Sequence, residues 1–194
     1  MRGHLDWIAI LRGMNEAVRR LGEGAWGLAR ARAVAREVEG VPRAVKDLVR
    51  ALFGDDVDVR KRAADVARRI TEAEPAPLER YADELAGLLA ELPVEESRTR
   101  WHLGLVVPRV ATTREQRLRA ARLMMTLADD PSNVVRCSAV EGMGLLALVE
   151  PSLRDAAEEM VERFLREGTL ANKNRARHVG QMLRKRDRGS EGAK

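Results

Sequence analysis

Apolar residues recur along the chain at intervals of three and four, and no stretch alternates apolar with polar as a half-buried strand would. In DVDVRKRAADVARRI, Val59, Ala63, Val66, Ala67 and Ile70 fall on one side of a helix, with Lys61, Asp65, Arg68 and Glu72 opposite. The periodic stretches are cut at Gly40-Val41-Pro42, Gly54-Asp55-Asp56, Glu74-Pro75, Leu92-Pro93, Thr112-Thr113, Asp129-Asp130-Pro131, Glu150-Pro151 and Gly168-Thr169. The cuts come roughly every 18–20 residues, so each segment holds a helix of about 20–30 Å. Local chemistry suggests how these helices begin and end. Asp130 before Pro131 reads as an N-cap followed by proline at the first helical position. Thr112-x-x-Glu115 fits a capping box, and Gly54 and Gly168 suit left-handed helix ends.

The segments align in pairs. Arg60, Arg98, Arg136 and Arg175 follow one another at steps of 38, 38 and 39 residues. The preceding helices keep step through Leu48/Leu52, Leu85/Leu89, Leu123/Leu127 and Val161/Leu165. A helical hairpin of this size cannot bury both helices alone, so such units stack and complete one another's interior. The turns Asp55-Asp56 and Asp129-Asp130-Pro131, each followed by a Val-Arg pair (Val59-Arg60, Val135-Arg136), resemble HEAT repeats. The resemblance covers roughly 43–187 in four repeats. It departs from the pattern where Ser97 precedes Arg98 and where Asn174 precedes Arg175. Residues 1–40 resemble a degenerate first pair, with helices near 4–21 and 24–39.

The resemblance implies an all-α, right-handed α-α superhelix (a solenoid) of about five HEAT-like hairpins. It would form one domain over 1–187, with 188–194 as a disordered tail. It also implies that the second helix of each pair lines a concave side, where Arg60, Arg98, Arg136 and Arg175 form a structural ladder with acids of neighbouring repeats. Such motifs specify fold well and function hardly at all.

The offsets of Lys61, Asp65, Arg68 and Glu72 from Arg60 can be carried into the later repeats. They select Thr99, Leu103, Val106 and Val110, then Cys137, Glu141, Gly144 and Leu148, then Ala176, Gly180, Leu183 and Asp187. The expected groove is charged at one end and apolar or small beyond it. Leu103, Val106, Val110, Leu148 and Leu183 would be an apolar floor for a protein or peptide partner. Apolar residues at helical spacing are also what a core looks like, and the same stripe could serve a homo-oligomer contact. Pro108 lies four residues after Gly104, whose carbonyl its ring would crowd, so a kink near 104–108 is expected.

Composition changes this picture little. Apolar residues make up 45%, charged residues 34% and aromatics 3%, so Leu, Val and Ala must build the core. The net charge of +5 is a local matter. Residues 173–194 hold eight basic and two acidic side chains, so the other 172 residues sum to −1. Lys173, Arg175, Arg177, Arg184, Lys185 and Arg186 are therefore candidate contacts for an anion or nucleic acid. Cations at a helix C-terminus also suit its dipole without any ligand.

Cys137 is the only cysteine, and His4, His102 and His178 lack metal-ligand spacing, so neither a metal nor another cofactor is expected. The sequence has no signal-peptide pattern and no run of eighteen apolar residues, which makes a cytoplasmic setting without membrane insertion the expectation. Trp101-His102 is the most suggestive pair for chemistry. HEAT-like alkylpurine DNA glycosylases place tryptophans and an aspartate on the concave side, but here Leu105, not an acid, stands one turn after Trp101. The expectation is a non-enzymatic scaffold that offers its groove to a protein or peptide. The alternative is a nucleic-acid-binding module that uses the basic last helix.

Overall fold

The computed structural model describes residues 13–191, with side chains as far as Arg186. Every regular element among them is helical: α1 (Glu16–Arg19), α2 (Leu28–Glu39), α3 (Pro42–Leu52), α4 (Val57–Ala73), α5 (Ala76–Glu79), α6 (Ala82–Glu91), α7 (Ser97–Val110), α8 (Arg114–Leu127), α9 (Asn133–Val149), α10 (Arg154–Glu167) and α11 (Leu170–Glu191). Short 3-10 turns cover Arg20–Gly22, Val94–Glu96 and Pro151–Leu153. All eight sequence breaks fall between helices. The start of the expected helix near 4–21 lies outside the described residues. Helix α11 continues to Glu191, where the sequence suggested a disordered tail from 188.

The helices form two layers. In one, α2, α4, α7, α9 and α11 pack each against the next. The other holds their partners, with α1 on α2, α3 on α4, α6 on α7, α8 on α9 and α10 on α11. The hydrophobic core runs between the layers, from Val18 and Leu21 at one end to Phe164 and Leu183 at the other.

The helix starts are built less uniformly than the sequence suggested. Asp56 does cap α4, accepting hydrogen bonds from the backbone N–H groups of Asp58 (2.9 Å) and Val59 (3.0 Å). The capping box of α8 is Thr113 with Gln116, one residue beyond the expected Thr112 and Glu115. Asp130 does not cap α9. That helix begins after Ser132, and Asp130 is buried for another purpose described below. Gly54 and Gly168 have no left-handed backbone; among the described residues only Gly24 has positive φ, at 51°.

The tightest crossing joins α7 and α9. A Cβ on Gly142 would lie 2.8 Å from the Gly104 carbonyl oxygen and 2.8 Å from Pro108 Cγ. One on Gly104 would lie 2.5 Å from Ser138 Oγ. Pro108 leaves the Gly104 carbonyl without its helical donor. The bare backbone of Gly142 then packs against that carbonyl. Glycine on both helices is what permits this approach.

Candidate open face of the second helices

The apolar stripe expected to floor a groove is core. Leu103, Val106 and Val110 are fully buried and Leu183 is nearly so; only Leu148 is half-exposed. The cause is register. In α4 the residues buried at −1, +3, +6, +7 and +10 from Arg60 are Val59, Ala63, Val66, Ala67 and Ile70. Counted from Arg136, the same places in α9 are Val135, Ala139, Gly142, Met143 and Leu146. Helix α7 is buried at every position from Thr99 to Val110 except Trp101 and Arg109, and all five matching places (Thr99, Leu103, Val106, Val107 and Val110) are buried when counted from Arg100, whereas counting from Arg98 takes in the half-buried Ser97 and Trp101. In α11 the buried set is Asn172, Ala176, Val179, Gly180 and Leu183, counted from Lys173 and not Arg175. The true steps are 40, 36 and 37 residues. A uniform step near 38 therefore placed the stripe two residues off in both helices and turned core positions outward.

Two of the arginines at the corrected register tie one hairpin to the next. The Arg60 Nη2 group donates to the Gly54 carbonyl at 2.6 Å, and Nη1 pairs with Glu96 at the start of α7. The Arg100 Nη1 group donates to the Leu92 carbonyl at 2.7 Å, while Nε donates to Asp130 Oδ2 at 3.0 Å just before α9. Arg136 donates to the backbone carbonyls of Asp130 and Pro131. Each arginine thus ties down the turn before its own helix. The first two also reach an acid of the following unit. Arg98, expected in this ladder, takes no part in it. Arg100 and Asp130 are both buried, so each needs the other to offset its desolvation.

Basic and half-buried aromatic side chains gather on one stretch of the second-helix layer. The Trp26 indole N–H, from the approach to α2, donates to Asp65 Oδ2 on α4 at 3.2 Å. The Asp65 Oδ1 atom lies 3.0 Å from an Arg69 nitrogen and 3.8 Å from one of Arg68. The guanidinium of Arg62 sits 5.6 Å from the Trp26 ring centroid and donates to the Leu21 carbonyl at 2.8 Å. Trp101 on α7 receives two guanidiniums, Arg68 at 5.8 Å and Arg98 at 5.7 Å. The His102 ring lies 4.3 Å from that of Trp101, tilted by 30°. Burial pushes the His102 pKa down to about 4, assisted by Arg68, Arg69 and Arg98 and opposed by Asp65, so the ring is neutral at pH 7. Its Nδ1 is buried without a hydrogen-bond partner. Trp26, Lys61, Arg62, Asp65, Arg98 and His102 line a half-open cavity of about 460 Å³.

Further along the same layer, Glu141 on α9 links two helices. It lies 2.7 Å from Arg175 on α11 and 3.9 Å from Arg109 on α7. Burial lowers the pKa of the Arg109 guanidinium below its ordinary value. Of the six expected anion contacts, Arg175 is therefore held by an acid, and Lys173 is half-buried. Arg177 donates to the Asn174 side chain at 2.7 Å. Arg184, Lys185 and Arg186 are exposed and have no carboxylate partner among the described residues.

Trp26, Arg62 and Arg69 were not singled out from the sequence. The register of α7, by contrast, was legible: counted from Arg100, the matching offsets are Thr99, Leu103, Val106, Val107 and Val110. Counted from Arg98 they would include Trp101 and Pro108. The more apolar of the two registers is the one that forms.

Among the described residues no three His, Cys, Asp or Glu side chains are grouped to hold a metal ion, and no helix is long and apolar enough to cross a membrane. No family model matches the chain, and no curated protein is detectably similar to it in sequence.

Proposed function

We propose that the protein is a non-enzymatic binding module, a HEAT-like solenoid whose second helices face an acidic segment of a protein partner in a cytoplasmic setting. The observation that carries this reading is the open face itself. Arg62 and Arg98 stand there beside Trp26 and Trp101 with no carboxylate partner among the described residues, next to Lys61. Arginine and tryptophan are the residue types that dominate binding energy at interfaces. Unmatched cations on such a face suit an acidic partner and speed its approach. The sequential packing of α2, α4, α7, α9 and α11, tied by Arg60–Glu96 and Arg100–Asp130, supports the solenoid part of the reading. A neutral His102 with a depressed pKa is a weak base near pH 7, which suits binding better than proton transfer.

The test is capture from native lysate with wild type, with Arg62→Glu/Arg98→Glu, and with Arg184→Glu/Lys185→Glu. The expected outcome is a partner lost only by the Arg62/Arg98 variant, with an acidic stretch in that partner. Equal capture by all three proteins would contradict the reading. The second reading is nucleic-acid binding through α11, favoured by the exposed Arg184, Lys185 and Arg186, which have no carboxylate partner among the described residues. It requires affinity for DNA or RNA that falls steeply with salt and is lost in the Arg184/Lys185 variant.

A further inference from the structure

The cavity between the approach to α2, helix α4 and helix α7 is more than a stretch of basic surface. Its lining carries three cations, Lys61, Arg62 and Arg98, against one carboxylate, Asp65. That carboxylate is already engaged by the Trp26 indole and by Arg69. Lys61 is partly offset by Asp58, 2.5 Å away. Arg62 donates from one nitrogen, Nη1, to the backbone carbonyls of Leu21 and Glu23, and Arg98 has no hydrogen bond among the described residues, so both retain donors with no acid beside them there. A guanidinium that stays unpaired beside a cavity is a donor fork awaiting an oxyanion.

His102 adds a second, independent observation. The side chain is more than nine-tenths buried, lines the cavity, and has no hydrogen bond at Nδ1. A buried orphan N–H is costlier than a buried lone pair, which favours the tautomer carrying its proton on Nε2. Nε2 is then the nitrogen that carries the ring's proton. The volume of about 460 Å³ falls in the range of small-molecule sites and holds a phosphate together with the group that bears it.

We infer that this cavity is a binding site for a phosphate monoester, with Arg98 and Arg62 as the principal anion ligands, His102 as a neutral donor and Trp26 as an apolar wall. Two guanidiniums and a neutral N–H around one space match the several acceptor oxygens of a phosphate better than the two of a carboxylate. The same chemistry can arrive on a free nucleotide or on a phosphorylated side chain of a partner. The inference rests on the open face being the binding surface. It is read with small probes, however, so its failure leaves the capture experiment to decide the broader reading separately.

The experiment is calorimetric titration of the full chain at low salt and neutral pH with inorganic phosphate, AMP, a phosphoserine peptide and succinate. Wild type should bind the phosphate probes and bind succinate more weakly. AMP as the tightest probe assigns the site to nucleotides; the phosphoserine peptide as the tightest assigns it to a modified partner. Arg98→Gln should weaken every phosphate probe by about tenfold or more, since a charge-assisted hydrogen bond is lost, without moving the melting temperature. Arg43→Gln, on the other layer, should leave affinity unchanged. No binding of any phosphate probe at millimolar concentration, succinate binding as tightly as phosphate, or full affinity in Arg98→Gln would each overturn the inference.

Discussion

His102 shows how one buried ring can report on its surroundings. Desolvation holds its pKa near 4 in the folded chain, while a free imidazole titrates near 6.5. Between those values the unfolded state binds more protons, so stability rises with pH across the window. The contribution is complete above about pH 6.5 and is lost as the pH falls toward 4, at most roughly 3 kcal/mol. Wild type and His102→Gln compared by urea unfolding at neutral pH and near pH 4 isolate this contribution, because the carboxylates titrate alike in both. The wild type should lose more stability on acidification by a large part of that amount. Equal losses would mean that the ring is not held buried and neutral among Asp65, Arg68, Arg69 and Arg98.

Between elements, the account rests on arginines that bridge one unit to the next. Asp130 is 2% exposed and Arg100 8% exposed, so removing one partner strands a buried charge. Asp130→Ala should therefore destabilise the fold by about 3–5 kcal/mol, while Arg100→Met with Asp130→Ala should cost markedly less. Thermal unfolding of the two variants measures this, and near-equal destabilisation by both would refute the bridging role. The same pair shows what the sequence could and could not reveal. Helix existence and helix breaks were legible because Gly, Pro and Asp punctuate an otherwise unbroken helical period. Register was not. The 3-10 turn Val94–Glu96 delays α7, so its bridging arginine comes 40 residues after Arg60, and the arginine at the same place in α9 only 36 later. Two arginines two residues apart, Arg98 and Arg100, look alike in a repeat count but lie on different sides of the helix, one in the core and one on the open face. Asp130 was misread for a related reason: a local capping pattern cannot display a partner thirty residues away.

At the scale of the molecule, the basic excess of residues 173–194 masks a second concentration of positive charge. The chain outside that segment sums to −1, yet several of its acids are paired within the fold. Glu96 and Asp130 bridge units, Asp65 holds Trp26 and Arg69, and Glu141 joins Arg109 to Arg175. What is left outward on the second helices is cationic around Arg62 and Arg98. Net charge therefore said little about where unmatched cations gather, whereas the pairing of individual acids does. The apolar stripe that the sequence suggested as a groove is the interior that keeps the two layers together, and the binding surface we propose is the polar side of the same helices. Arginine-directed covalent footprinting, with a dicarbonyl reagent and read by mass spectrometry on the free protein and on its captured complex, tests this claim most directly. Protection of Arg62 and Arg98, with Arg43, Arg122 and Arg166 on the other layer as reactive as before, is the predicted result; protection confined to that other layer, or to Arg184 and Arg186, would contradict it.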